Sequence, residues 1–139
     1  ELPCYICGFT TEDSRGVDII TYVDMNVDGK DKYRTTGMAS RGGTPTVPAM
    51  KYMGKKLMKD STEKKILIVS TDGCSGRGYG ETVRDVIKKL QHDGVMVIGA
   101  GIGDSKPKIQ EEFGDNFLDI SNLDAMPKIL CNIVKKNLV

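Results

Sequence analysis

Residues 64–76 read KKILIVSTDGCSG. Ile66, Leu67, Ile68 and Val69 form an unbroken aliphatic run, short and rich in β-branched residues, which predicts a strand buried on both faces. The run then delivers two hydroxyls, Ser70 and Thr71, and a carboxylate, Asp72, before Gly73 breaks it. Two readings of that ending compete. Asp-Gly is a common turn pair, or the acid stands at the mouth of a sheet to hold a ligand.

Strand and helix signals alternate on both sides of this stretch. LPCYICGF (2–9) and VDIITYVD (17–24) read as strands, followed by a turn-rich polar stretch, 25–43. In TPTVPAMKYMGKKLMK (44–59), Val47, Met50, Met53, Leu57 and Met58 recur at helical spacing, with Thr46 as the expected N-cap and Pro48 in the first turn. ETVRDVIKKLQHDG (81–94) puts Val83, Val86, Ile87 and Leu90 on one face, and Gly94 where a helix ends. VMVIGAGIG (95–103) is a second fully apolar strand, NFLDI (116–120) a shorter one, and DAMPKILCNIVKKNL (124–138) a closing amphipathic helix. The order β-β-α-β-α-β-(α)-β-α predicts an α/β fold: an open, doubly wound, mostly parallel sheet flanked by helices. Residues 1–139 are expected to form a single domain, with no repeat or linker.

Totals narrow the functional classes. A chain of 139 residues is long enough to bury a core, and its 39% hydrophobic and 28% charged residues are those of an ordinary globular protein. A net charge of +1, with acids and bases interspersed, gives no footprint for nucleic acid or an anionic membrane. The aliphatic runs are too short to span a bilayer. The opening ELPCYIC has neither a signal-peptide pattern nor an initiator Met, so a fragment or processed product is expected. Four cysteines, Cys4, Cys7, Cys74 and Cys131, are too sparse for a secreted disulfide scaffold, which predicts reduced thiols and a cytoplasmic location.

In open α/β sheets, ligands bind beyond the carboxyl ends of the strands. Asp72 stands at one such end, Asp104 at another, and RGGTPTVPAM (41–50) places Thr44 in a loop just before a helix. A hard cation such as Mg²⁺ takes oxygen ligands, usually one or two carboxylates completed by hydroxyls and water. Thr44 and Asp72 are ligands of the right type on the right kind of loop.

GGTPT (42–46), followed after a helix by ILIVSTDG (66–73), resembles two of the three metal-site motifs of the von Willebrand factor A domain. YICGFTT (5–11) looks like that family's second strand and VMVIGAGIGDS (95–105) like its fifth, so the resemblance covers essentially the whole chain. GFTT and IGAGIGDS are most similar to bacterial A domains of the cobaltochelatase T-subunit type. The resemblance implies a metal-ion-dependent adhesion site (MIDAS) on the upper edge of the sheet, with Thr44 and Asp72 as metal ligands and Mg²⁺ or Mn²⁺ as the ion. The family's first motif, Asp-x-Ser-x-Ser, is not found. Its nearest match, DISNL (119–123), has Leu123 where the last serine belongs. The chain is therefore expected to lack the family's central first strand, and with it most of the metal ligands, which makes ion binding weak.

The implied function is a non-enzymatic protein-interaction module whose bound ion accepts a partner's carboxylate, rimmed by Asp104 and GCSGRGYG (73–80). The chelatase-like features imply a ring-forming AAA+ ATPase as the partner. Two alternatives differ in class: an accessory subunit of an ATP-dependent metal chelatase, and a truncated, metal-free scaffold.

Other motifs carry weaker chemistry. DMNVDGKD (24–31) places Asp24, Asn26, Asp28 and Gly29 as in the first half of an EF-hand, but its twelfth position is Thr35 rather than Glu, and a solvated turn is the better reading. Cys4 and Cys7 have the spacing of a zinc pair without a second pair, so buried small hydrophobes are expected. His92 sits in a helix pattern facing solvent, with no nucleophile beside it. GAGIGDS lacks the lysine-hydroxyl pair of a phosphate loop.

Overall fold

Two compact units make up the chain, Glu1–Pro45 and Thr46–Val139. The structure, a computed structural model, describes residues 4–11, 16–24, 31–39, 41–72 and 80–138. The calcium-like segment from Asn26 to Asp28 and the loop 73–79, with Cys74, lie outside the described residues.

In the first unit, β1 (Ile6–Thr10) and β2 (Asp18–Val23) pair antiparallel, Cys7 opposite Thr21 and Thr10 opposite Asp18, with a bulge between Ile6 and Cys7. A connection of only a few residues suits antiparallel partners, because parallel ones need a long crossover. Tyr22 packs over Gly8, and the Tyr5 and Thr21 hydroxyls hydrogen-bond at 2.8 Å. A 3-10 helix, Asp31–Gly37, follows.

In the second unit, β3 (Lys65–Ser70), β4 (Val95–Gly101) and β5 (Phe117–Asp119) form a parallel sheet in that order. Every residue of β4 is buried, as its apolar run predicts. Alternate β4 residues serve opposite layers. Gly99 and Gly101 face Phe113 and Ile109 of α3 (Lys106–Phe113). Met96, Ile98 and Ala100 join Leu118 and Ile133 in a core against α4 (Met126–Leu138). Thus helices flank both faces of the parallel sheet, and α/β architecture holds.

Two helices, α1 (Thr46–Met58) and α2 (Val83–His92), complete the unit. Val83, Val86, Ile87 and Leu90 are all buried, and Gly94 takes φ 82° just past the helix. Thr82 caps α2 with a reciprocal capping box to Asp85. Glu81 accepts both Lys51 of α1, at 2.5 Å, and Lys89 of α2. Its carboxyl is held below the usual range, first by Lys51 and then by Lys89. In α1, Val47, Met50 and Met53 are buried as the spacing predicts, whereas Met58 is 47% exposed.

The described strands form an antiparallel pair and a parallel triplet. Two expectations need correction. Thr46 is not the N-cap: it is the first residue of α1, and its buried hydroxyl has no hydrogen-bond partner among the described residues. Cys4 is exposed and Cys7 only half-buried, because β1 begins at Ile6 and leaves Cys4 ahead of the strand. No described helix is long and apolar enough to cross a membrane.

Candidate metal centre

The carboxyl ends of β3, β4 and β5 set three acids along one edge of the parallel sheet. Asp72 lies two residues beyond β3 and is exposed. Its approach is fixed by Thr71, whose N–H donates to Ala100 O at 3.2 Å and extends the β3–β4 ladder past Ser70. Asp104 sits in the 3-10 turn Gly103–Ser105 after β4, also exposed. Asp119 ends β5.

These acids differ in what already engages them. Asp119 accepts the Ser121 N–H at 2.8 Å and the Lys106 ammonium at 3.1 Å. The Ser121 backbone and hydroxyl, and then Lys106, bring its carboxyl down to about 2. Asp119 is thus neutralised by local partners. Its segment, DISNL, is the end of a strand followed by an Asx-type turn, which accounts for its likeness to a metal motif without metal chemistry.

Thr44 belongs to the first unit, half-buried in the loop before α1. Its loop is fastened to the end of β1. Gly43 N–H donates to both Thr11 O, at 3.3 Å, and Thr11 Oγ1, at 3.0 Å, and the two residues form an isolated bridge. A Cβ on Gly42 would overlap the Thr11 carbonyl oxygen, so the glycine pair in RGGT is what lets the backbone come this close. Sequence reading identified Thr44 but not Thr11, which anchors it, nor Lys106, which occupies Asp119. The partners are far apart in the chain, and a bare threonine or lysine carries no signal of its own.

The exposed Asp72 carboxylate is a hard oxygen donor, the chemistry that suits a small divalent cation completed by water. Among the described residues, no group of three His, Cys, Asp or Glu side chains could hold a metal ion. Soft-ligand chemistry fares no better: Cys4 and Cys131 are exposed and Cys7 is half-buried, and His92 is 90% exposed at the end of α2, 3.4 Å from Asp93.

No curated protein matches the chain. Among solved structures, it is similar to proximal thread matrix protein 1 from the mussel byssus, with a TM-score of 0.64 at 20% identity over 94% of this chain. The same mussel protein with a zinc-occupied MIDAS motif matches with a TM-score of 0.60, again at 20% identity and 94% coverage. This chain spans only 35% of the length of each, and the likeness is one of fold. The family profile of the von Willebrand factor type A domain matches residues 30–118, and the chain belongs to that family.

Proposed function

We propose that the chain is a protein-interaction module that presents a divalent cation at the carboxyl edge of its parallel sheet. Asp72 would hold the ion through its carboxylate, with Mg²⁺ or Mn²⁺ as the ion. When bound, the cation offers an open coordination position to a carboxylate of a partner protein. The observation that carries this reading is an exposed aspartate just past the end of β3, in a chain of the A-domain family. The zinc-occupied MIDAS of the mussel byssus protein supports it, since that structure shows a cation held on this fold.

Asp72 acts here as a binding group, with no bond made or broken, so the module is read as non-enzymatic. With one carboxylate, water fills most positions around the ion. Binding is then weak until a partner's carboxylate replaces a water. The test is a titration with Mn²⁺ followed by NMR, since the paramagnetic ion broadens nearby amides. Broadening centred on Thr71 and Asp72 is expected. Broadening centred on Asp115 or Glu111, or spread evenly over exposed acids, would refute the assignment.

A further inference from the structure

Lys106 stands where its helix does not need it. It is the first residue of α3, whose opening turn carries Lys106 and Lys108 and no acid. A cation there opposes the helix dipole, which favours negative charge at this end. In natural proteins, residues that break a local preference cluster at functional sites. The one hydrogen bond of Lys106 among the described residues runs to Asp119 Oδ2, at 3.1 Å. An ammonium carries three donors, so Lys106 can keep Asp119 and still receive a second carboxylate.

Asp119 does not hold that ammonium tightly. The two side chains are 35% and 39% exposed, and a pair this open to water contributes little. Ser121, through its N–H at 2.8 Å and its hydroxyl, comes ahead of Lys106 in lowering the Asp119 carboxyl. Asp119 therefore stays satisfied when Lys106 turns part of its charge to another acid.

The sheet register sets how far this cation lies from Asp72. Ser70 pairs with Ala100 and Ala100 with Leu118, so the next row runs Thr71, Gly101, Asp119. The bond from Thr71 N–H to Ala100 O carries the ladder into that row. β3 and β5 are two strand spacings apart, about 10 Å, and Asp72 is one residue beyond the row. Two residues of an extended peptide advance about 7 Å, and the side chains on either side cover the remainder. We propose that Lys106 is the second contact for the partner of this edge: the ion takes one carboxylate, and Lys106 takes another two residues along the same extended segment. The partner is thus a protein segment with acids at alternate positions, rather than one carrying a single exposed acid. The inference rests on Asp72 holding the ion, as proposed above.

The test is an NMR titration of the whole chain, in Mg²⁺ and in EDTA, with two capped peptides of equal charge, acetyl-Asp-Gly-Asp-amide and acetyl-Asp-Asp-Gly-amide. Adjacent acids of an extended peptide point to opposite sides, so the second peptide cannot reach both contacts. In Mg²⁺ the alternating peptide should bind about threefold to fivefold tighter and shift the Lys106 and Ser121 amides. Lys106→Gln should abolish that preference and Lys106→Arg should keep it, with circular dichroism confirming that each variant folds. Equal affinity of the two peptides in the parent chain, with binding that needs Mg²⁺, overturns the role of Lys106 and leaves the cation reading standing. A preference that survives Lys106→Gln also overturns it. Binding that is the same in Mg²⁺ and in EDTA overturns both.

Discussion

Gly42→Ala probes the loop that delivers Thr44. The added methyl would overlap the Thr11 carbonyl oxygen, a backbone atom that cannot swing aside as a side chain would. The loop must therefore lift away from the end of β1, and Gly43 N–H loses both acceptors on Thr11. At about 0.5–1.5 kcal/mol net per hydrogen bond, the shared donor accounts for about 1–2 kcal/mol. Gly37→Ala is the control, because a Cβ there meets nothing within 4 Å, and its effect should fall within about 0.5 kcal/mol of zero. The assay is denaturant unfolding combined with hydrogen exchange at the Gly43 amide. The account expects Gly42→Ala to lose stability and Gly43 to lose protection, while Gly37→Ala changes neither. Equal stability of the two variants, with Gly43 still protected, would refute the view that the glycine pair fastens Thr44.

Other consequences follow from the parallel unit. Gly99→Ala would drive a methyl into the Phe113 ring, which is only 6% exposed; overpacking of this kind costs about 1–3 kcal/mol. In a double-mutant cycle with Phe113→Ala the two losses should fall short of additive, and strict additivity in urea unfolding would contradict the contact. Asp119, with its folded value lowered from 3.8 to about 2, contributes stability that is full above the unfolded value and is lost as pH falls through the folded one. NMR titration should find this carboxyl near 2, moving toward 3.8 in Lys106→Ala but not all the way, since the Ser121 donors remain. A carboxyl that titrates at the ordinary value in the parent chain would show that the Ser121 and Lys106 contacts do not persist in solution.

The strands of the parallel unit were legible because their runs are apolar throughout, although β3 is not buried on both faces as expected: Ile68 is 48% exposed. Ile66–Val69 and Val95–Ala100 have no polar positions to place on a solvent face, so both read as strands inside a layered α/β fold. The α2 face was legible for the same reason, with Val83, Val86, Ile87 and Leu90 marking its inner side. What escaped were contacts between residues distant in sequence. Thr46 carries an N-cap residue type, yet the helix already includes it, and residue type alone does not say on which side of the boundary it falls. The ion pair of Lys106 with Asp119 in DISNL, the nearest match to the missing first motif, was hidden for the same reason. Which strands pair with which was equally hidden, because apolar runs announce strands without naming their neighbours.

The central claim is that Asp72 holds a divalent cation, and thermal unfolding tests it most directly. The chain and its Asp72→Ala variant are melted in EDTA and then in millimolar Mg²⁺ or Mn²⁺ at one protein concentration, and the shift within each protein is compared. An ion at about ten times its Kd stabilises the folded state by about 1.4 kcal/mol, which for a domain of this size raises Tm by about 4–6 °C. The account predicts that rise in the parent chain and its disappearance in Asp72→Ala. An equal rise in both proteins, or none in either, would contradict it.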